Sequence, residues 1–393
     1  MSYSGHAVYD MDSHVREYWE LDRTYQSNID PAYRDKYEDL ARVVKAHQKS
    51  VGDVGLGEVL WPLPPRHPMG VYDAFEAERK KAAVRGEAEV GAGTGPVTTR
   101  GLRIDQSCNW DPTIRLRDMD TAGIETSVMF PSQSDGLCTL NDIGFEAAMH
   151  LAYHRYMSDY CSEADGRLRW VADGTMRDIP ETVRQFQHWA ATDKNFVGLH
   201  VTRACPDGSM LDNPVLHPLF AASQEANLPI WIHGGANRPP YTPWLDAPNA
   251  LYHGWGGQYA VAGLIGGGVF DLFPKLRIGI FESGCGWVPW LIEQLDDGYR
   301  PGSKATPLLQ RKASEILASG QLFVAVEADE GLIETAVEHL GEDPWLFSTD
   351  YPHGGTSWPH GVPLITDRTG LSESAKIKLL SQNALRFLPQ LAG

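Results

Sequence analysis

Metal-ligating side chains recur where runs of apolar residues end. Asp12 and His14 close the run that starts at Ala7, His200 lies in Phe196-Val197-Gly198-Leu199-His200-Val201, and His233 follows Ile230-Trp231-Ile232. Glu282 follows Ile278-Gly279-Ile280-Phe281, and Asp350 follows Leu346-Phe347-Ser348-Thr349. Asp12 and His14 are two apart, so an extended chain points both side chains to one face. Imidazole suits zinc, iron or manganese, and added carboxylate favours the harder iron and manganese. Any one of these residues alone is more often a cap or a hydrogen-bonded polar side chain. Six of them at the same end of five strands argue for a divalent metal centre. Glu17, three residues past His14, is a further candidate ligand, with a capping or solvated carboxylate as its plainer role. His353, three past Asp350, is a candidate to hydrogen-bond a ligand carboxylate or the substrate, or a simple turn residue.

The elements that must position these residues follow from the pattern between them. Short apolar runs predict strands at 7–12, 125–130, 168–173, 196–201, 228–233, 276–282, 321–326 and 345–349. Helical periodicity predicts helices at 112–122, 141–164, 181–191, 213–226, 258–273, 288–296, 307–317, 330–339 and 373–388. Gly123 is suited to end the first of these, and Pro214 sits at a first helical position where it costs no hydrogen bond. Strands separated by helices imply parallel βαβ units, and eight of them suffice to close a (β/α)8 TIM barrel. A doubly wound open sheet fits the alternation too, but gives no reason for the residues at the strand ends. In a barrel, chemistry collects at the C-terminal strand ends, where the candidate ligands fall. Residues 1–393 therefore read as one α/β barrel domain. Residues 20–110, with a helical patch at 31–48 and a Pro-rich run at 61–65, form a long insertion after strand 1, expected to act as a lid or an oligomer contact.

Composition excludes other classes. The 393 residues carry 34 Lys+Arg against 51 Asp+Glu, a formal net charge of −17. A nucleic-acid partner needs a basic footprint, and the best cluster, Arg79-Lys80-Lys81, lies among glutamates. No apolar run reaches the roughly 20 residues that cross a bilayer, so no membrane partner is expected. Five scattered cysteines without a CxxC pair suit reduced thiols and a cytoplasmic setting. Nucleophile-elbow, P-loop and dinucleotide fingerprints are missing from the sequence. Cys285 reads as a buried structural thiol. Trp244, Trp255, Trp287, Trp290 and Trp358 are candidates for an aromatic substrate wall or for core packing. Arg203 and Arg238, past strands 4 and 5, are candidate carboxylate grips, with surface placement as their simpler fate.

Four stretches carry a family resemblance. Asp10-Met11-Asp12-Ser13-His14-Val15-Arg16-Glu17, Ile232-His233-Gly234-Gly235, Glu282-Ser283-Gly284-Cys285-Gly286-Trp287-Val288-Pro289 and Ser348-Thr349-Asp350-Tyr351-Pro352-His353 resemble the amidohydrolase-2 family, which includes aminocarboxymuconate-semialdehyde and resorcylate-type decarboxylases. The closing Asn383-Ala384-Leu385-Arg386-Phe387 is similar to that family's last helix. The resemblance implies a (β/α)8 barrel with a divalent metal at its mouth. Asp12 and His14 match the strand-1 ligand pair, His233 the strand-5 ligand, and Asp350 the strand-8 Asp that binds metal and moves a proton. The decarboxylases carry a His near the end of strand 6, where this chain has Glu282.

The expectation is a metal-dependent hydrolase or decarboxylase (a lyase) acting on a small carboxylated or carbonyl substrate. Its ligand set is Asp12, His14, Glu17, His200, His233, Glu282 and Asp350, with Asp350, Glu282 and His353 as catalytic groups. The metal is zinc, or iron or manganese if the site is dinuclear. A dinuclear di-iron or iron–manganese oxygenase is the alternative, and a metal-poor structural subunit of a hetero-oligomer is a second. A homo-oligomer is expected, or a hetero-oligomer with a related subunit.

Overall fold

In a computed structural model, residues 2–17, 21–51, 98, 100–132, 134–233, 248–301 and 303–392 are described. A two-stranded antiparallel hairpin, Ser2–Tyr3 with His6–Ala7, precedes the main sheet. Eight strands then follow in chain order: β1 (Tyr9–Val15), β2 (Thr126–Pro131), β3 (Leu168–Ala172), β4 (Phe196–Val201), β5 (Ile230–Ile232), β6 (Ile278–Ile280), β7 (Leu322–Glu327) and β8 (Trp345–Ser348). Each pairs in parallel with the next, so spatial order equals sequence order. All eight expected strands are present. β1 runs two residues later at its start and three later at its end than the apolar pattern suggested.

The sheet closes on itself between β1 and β8. The Asp350 N–H donates to the Asp12 carbonyl at 2.9 Å, and the His14 N–H donates to the Tyr351 carbonyl at 2.7 Å. Below that seam, the Asp10 carboxylate accepts the Thr349 N–H at 3.0 Å and the Thr349 hydroxyl at 2.7 Å. A side chain on strand 1 thus completes the ladder to strand 8. Burial pushes the Asp10 carboxyl up to about 7, against the pull of the Thr349 hydrogen bond.

Local sequence sets where the helices begin and end. Helix α1 (Arg34–Val51) lies inside the long insertion and buries Tyr37, Ala41 and Val44 at helical spacing. Helix α2 (Pro112–Ala122) starts at Asp111, whose side chain accepts the Thr113 N–H, and stops at Gly123 in the left-handed region. Helices α3 (Ile143–Ser162) and α4 (Ile179–Thr192) begin at Asp142 and Asp178, each capping a backbone N–H. Helix α5 (His217–Ala226) ends at Asn227, also left-handed.

The single helix expected at 258–273 is instead α6 (Pro248–Gly266) and α7 (Val269–Leu272). Gly268 breaks them at φ 72°, and a Cβ there would lie 2.7 Å from Leu308. Helices α8 (Val288–Gly298), α9 (Ala313–Ala318) and α10 (Ile333–Leu340) complete the alternation, the last two shorter than expected. A short α11 (Gly361–Thr366) follows β8. The closing helix is interrupted: α12 (Glu373–Ile377) and α13 (Asn383–Phe387) flank a π-helical turn at Lys378–Gln382. Past that wide turn, the Asn383 amide donates to the Glu342 and Trp345 carbonyls, a demand that helical periodicity does not register.

Aromatic rings fill the barrel. Trp231 stacks on Phe281 with centroids 5.0 Å apart and meets Phe130 and Phe387 edge-on. Its indole N–H donates to the Val197 carbonyl at 3.1 Å. Gly198 makes this possible, because a Cβ there would fall 2.3 Å from the indole nitrogen. The parts of the 20–110 insertion at 52–97 and 99, with the Pro-rich run, lie outside the described residues, as do Arg238 and Trp244.

Candidate metal centre

Strands β1, β5 and β8 aim four side chains at one point of the barrel mouth. His14 Nε2 lies 3.3 Å from Asp12 Oδ1 and 3.3 Å from Asp350 Oδ1, and His233 Nε2 lies 3.3 Å from Asp12 Oδ2. Asp12, His14 and His233 each offer a ligand atom mutually within 4.8 Å, and so do His14, Asp350 and His353. His14 Nδ1 donates to the Pro131 carbonyl at 3.1 Å, which leaves the Nε2 lone pair facing inward. Asp12 Oδ1, His14 Nε2, His233 Nε2 and Asp350 Oδ1 are all buried without a hydrogen-bond partner. An unpaired buried polar atom costs about 1–3 kcal/mol. Four acceptors converging with no donor between them match the donor set of a divalent cation.

The protonation states of His233 and Asp12 agree with that geometry. Burial holds the His233 imidazole down at about 4, with Asp12 and Glu282 pulling the other way, so the ring is neutral at neutral pH. Burial pushes the Asp12 carboxyl up, but His233 and His14 outweigh it and hold the group at about 2. Burial and the charge of Glu282 push the Asp350 carboxyl well above its ordinary range. Asp350 and Glu282 also share backbone strain, with φ of 57° and 47°. Non-glycine residues in the left-handed region are uncommon and gather at functional sites.

Around this centre the other candidates divide. His353 stacks on His14 with centroids 4.1 Å apart. Its Nδ1 lies 2.8 Å from Asp350 Oδ1 and its Nε2 meets the Ser132 hydroxyl at 2.9 Å. Burial holds its ring at about 4. Glu282 Oε2 lies 3.7 Å from His233 Nε2 and 2.9 Å from His253 Nδ1, at the rim of the cluster. Burial opposes ionisation of Glu282, yet His253, His233 and Arg203 hold its carboxyl well below the usual range.

Two expected ligands stand apart. Glu17 is buried and accepts the Ser132 N–H at 2.8 Å, which is the capping role. His200 directs Nδ1 to Asp173 Oδ1 at 3.1 Å and Nε2 to the His233 carbonyl at 2.8 Å, so it supports a ligand residue and does not face the cluster.

One expected surface residue is placed otherwise, and several participants escaped the sequence reading. Arg203 is not on the surface: only 2% exposed, it donates to the Phe281 and Glu282 carbonyls and contacts His253. Glu327, the last residue of β7, has its carboxyl pushed up to about 9 by burial and by the charges of Asp350 and Glu282. Asp173 follows β3, and Glu327 lies one residue past the strand expected at 321–326. Scanning every strand end uniformly would have found both. His253 sits inside α6 and carried no such signal. Arg115, on α2, is fully buried and donates to the His14 carbonyl at 2.5 Å and the Tyr351 carbonyl at 3.4 Å. Trp287 and Trp358 donate to the Ser283 and Asp118 carbonyls and so hold loops, while Trp255 and Trp290 are more than half exposed. Cys285 is buried, and burial raises its thiol far above the nucleophilic range.

A profile of the amidohydrolase-2 family, described as amidohydrolase, matches residues 53–390. The chain belongs to the amidohydrolase-2 family. As an amidohydrolase-2 enzyme, it is 27% identical over 308 residues to 2-amino-3-carboxymuconate-6-semialdehyde decarboxylase of Dictyostelium discoideum, covering 72% of this chain and 78% of that one. Its fold is similar to 5-carboxyvanillate decarboxylase of Novosphingobium aromaticivorans, solved with bound manganese. That likeness has a TM-score of 0.64 at 18% identity and covers 98% of this chain and 97% of the other. It is also similar to 2,6-dihydroxybenzoate decarboxylase from Rhizobium, with a TM-score of 0.57 at 20% identity over 71% and 88% of the two chains. No helix among the described residues of this amidohydrolase-2 chain is long and apolar enough to cross a membrane.

Proposed function

We propose that this amidohydrolase-2 enzyme removes a carboxylate from a small conjugated or aromatic acid, with hydrolysis of a carbonyl substrate as the neighbouring chemistry. The observation that carries the reading is the set of four buried, partnerless acceptor atoms on Asp12, His14, His233 and Asp350. These four residues would hold a divalent metal. When bound, the metal supplies Lewis-acid polarisation of a substrate carboxylate or carbonyl. Manganese in the carboxyvanillate decarboxylase supports an oxygen-loving metal, and two carboxylates among four ligands support it as well. The decarboxylase relatives support the substrate class.

The chain's own residues then divide the work. His353 stands beside Asp350, its Nδ1 2.8 Å from Oδ1, and stacks on His14. Asp350, Glu282 and Glu327 face one another closely enough that their charges raise the pKa values of Asp350 and Glu327. Such a cluster retains a proton at neutral pH, the proton that must replace a departing carboxylate. Glu282, steadied by His253, stands where decarboxylase relatives place a histidine and moves that proton toward the substrate carbon. Residues 20–110 serve as lid or oligomer contact. Cys108, Cys161, Cys205 and Cys285 are buried thiols outside any disulfide, which supports a reducing cytoplasmic setting. The partner is the small substrate, with no nucleic acid or membrane, in an assembly of identical chains.

The test loads the purified chain separately with manganese, zinc and iron and presents hydroxylated benzoates and 2-amino-3-carboxymuconate semialdehyde. Metal-dependent carbon dioxide release, lost in His233→Ala, is the expected result. Oxygen uptake with two iron or manganese ions per chain would replace this reading by the oxygenase. A folded chain that takes up no metal would replace it by the structural subunit.

A further inference from the structure

We propose that Asp173 and His200 form a positioning pair for the metal ligand His233, holding its main chain so that the ring points into the cluster. The inference rests on the metal reading above, and it concerns two residues outside the set of four converging ligand atoms.

The regular β-ladder stops short of His233. Pairing between β4 and β5 ends at Val201 with Ile232, one residue before His233. The His233 N–H still reaches the Val201 carbonyl, at a long 3.3 Å. The His233 carbonyl is taken by a side chain from the neighbouring strand, His200 Nε2 at 2.8 Å. Both peptide groups flanking the His233 Cα are therefore fixed, and with them the direction of its Cα–Cβ bond.

His200 is itself held. Its Nδ1 meets Asp173 Oδ1 at 3.1 Å, so both ring nitrogens face acceptors. Asp173 is buried and accepts further from the Ser134 hydroxyl and from the Gly174 N–H at 3.0 Å, with His150 Nδ1 3.4 Å away. A carboxylate so fully bound cannot swing aside, and it fixes the plane of the His200 ring. The ring then packs edge-on against His233, centroids 6.0 Å apart, and edge-on against Phe130. Orientation thus passes from β3 through β4 to the ligand on β5. Partners of this kind set ligand direction, and their loss typically weakens metal affinity about 10- to 100-fold.

The experiment uses cobalt(II), whose visible spectrum reports ligand number and geometry, on the full chain. His200→Leu removes the donor, Asp173→Asn removes the charge that holds it, and His200→Gln keeps a donor of similar reach. Cobalt affinity from chelator competition is expected to fall about 10- to 100-fold in His200→Leu and less in Asp173→Asn. The absorption bands are expected to shift in both, with His200→Gln recovering part of the affinity. Circular dichroism and thermal melting separate these effects from misfolding. A purely structural role would lower the melting temperature while leaving spectrum and affinity of the folded protein as in wild type. That outcome, or unchanged cobalt binding in the leucine and asparagine variants, overturns the proposal. If His200→Leu does not fold, the asparagine and glutamine variants decide the matter by the same two readouts. Wild-type protein that binds no cobalt removes the metal reading and this proposal with it. Wild-type binding with variants indistinguishable from it removes this proposal alone.

Discussion

Replacing Arg115 by methionine tests whether the barrel seam and the metal centre are one construction. The guanidinium is fully buried and reaches from α2 to two main-chain carbonyls, those of His14 and Tyr351. One belongs to a ligand and the other follows the ligand Asp350. Hydrogen bonds from a charged donor contribute about 1.5–3 kcal/mol each. The bond to His14, at 2.5 Å, takes the upper part of that range, and the 3.4 Å contact to Tyr351 falls below it. The cation also lies 4.7 Å over the Tyr351 ring, which adds about 1–2 kcal/mol in a desolvated setting. Methionine recovers part of this, because a buried guanidinium carries a desolvation penalty and the thioether does not. The expected net loss is about 3 kcal/mol. Urea denaturation of wild type and Arg115→Met, with the slope unchanged, measures it. Metal affinity should fall in the same variant, since both carbonyls flank ligand side chains. A stability change within about 0.5 kcal/mol, the usual range for surface substitutions, would refute the reasoning.

Further outcomes follow from the same geometry. Stripping the metal with a chelator should lower the unfolding free energy by about 2.7 kcal/mol when metal had stood at 100 times its dissociation constant, and re-addition should restore it in a calorimetric scan. In the stripped protein, the Asp12 carboxyl is held at about 2 against an ordinary 3.8. A depressed folded-state value means stability present above pH 4 and lost as the pH falls through 2, about 2 kcal/mol in all. Asp12→Asn should flatten that part of the stability–pH curve, read by denaturant titration at each pH. Glu282→Gln should leave metal content near wild type while lowering turnover about 100-fold or more, as loss of a proton-transfer group does. A Glu282→Gln enzyme that keeps full turnover would exclude Glu282 from the proton path. Asp10→Asn should loosen the seam between β1 and β8, seen as faster amide hydrogen exchange at Thr349, whose N–H donates to that carboxylate.

Much of this architecture is local information. Apolar runs of strand length, glycine and asparagine at left-handed helix ends, and aspartates that cap the next helix are read from neighbouring residues. They placed all eight strands and the expected barrel. The same locality explains why Asp12, His14, His233 and Asp350 were candidates: each lies in the later part of a strand or just past it, and in a parallel barrel every strand ends on the same side. Helix lengths were less legible. The break at Gly268 depends on Leu308, and the π turn before Asn383 accompanies hydrogen bonds to Glu342 and Trp345.

Residue type and strand position by themselves determined which side chains could bind a metal and at which mouth of the barrel they would gather. Only the tertiary structure decided which of them converge on one point. Glu17 and His200 have the right chemistry, yet a Ser132 N–H takes one, and Asp173 with the His233 carbonyl takes the other. His253 and Arg203 reach Glu282 across elements distant in sequence. The physical reason is that a hydrogen-bonding atom serves the partners packed against it. In a closed barrel those partners come from the neighbouring strands, the preceding helix and the far side of the seam.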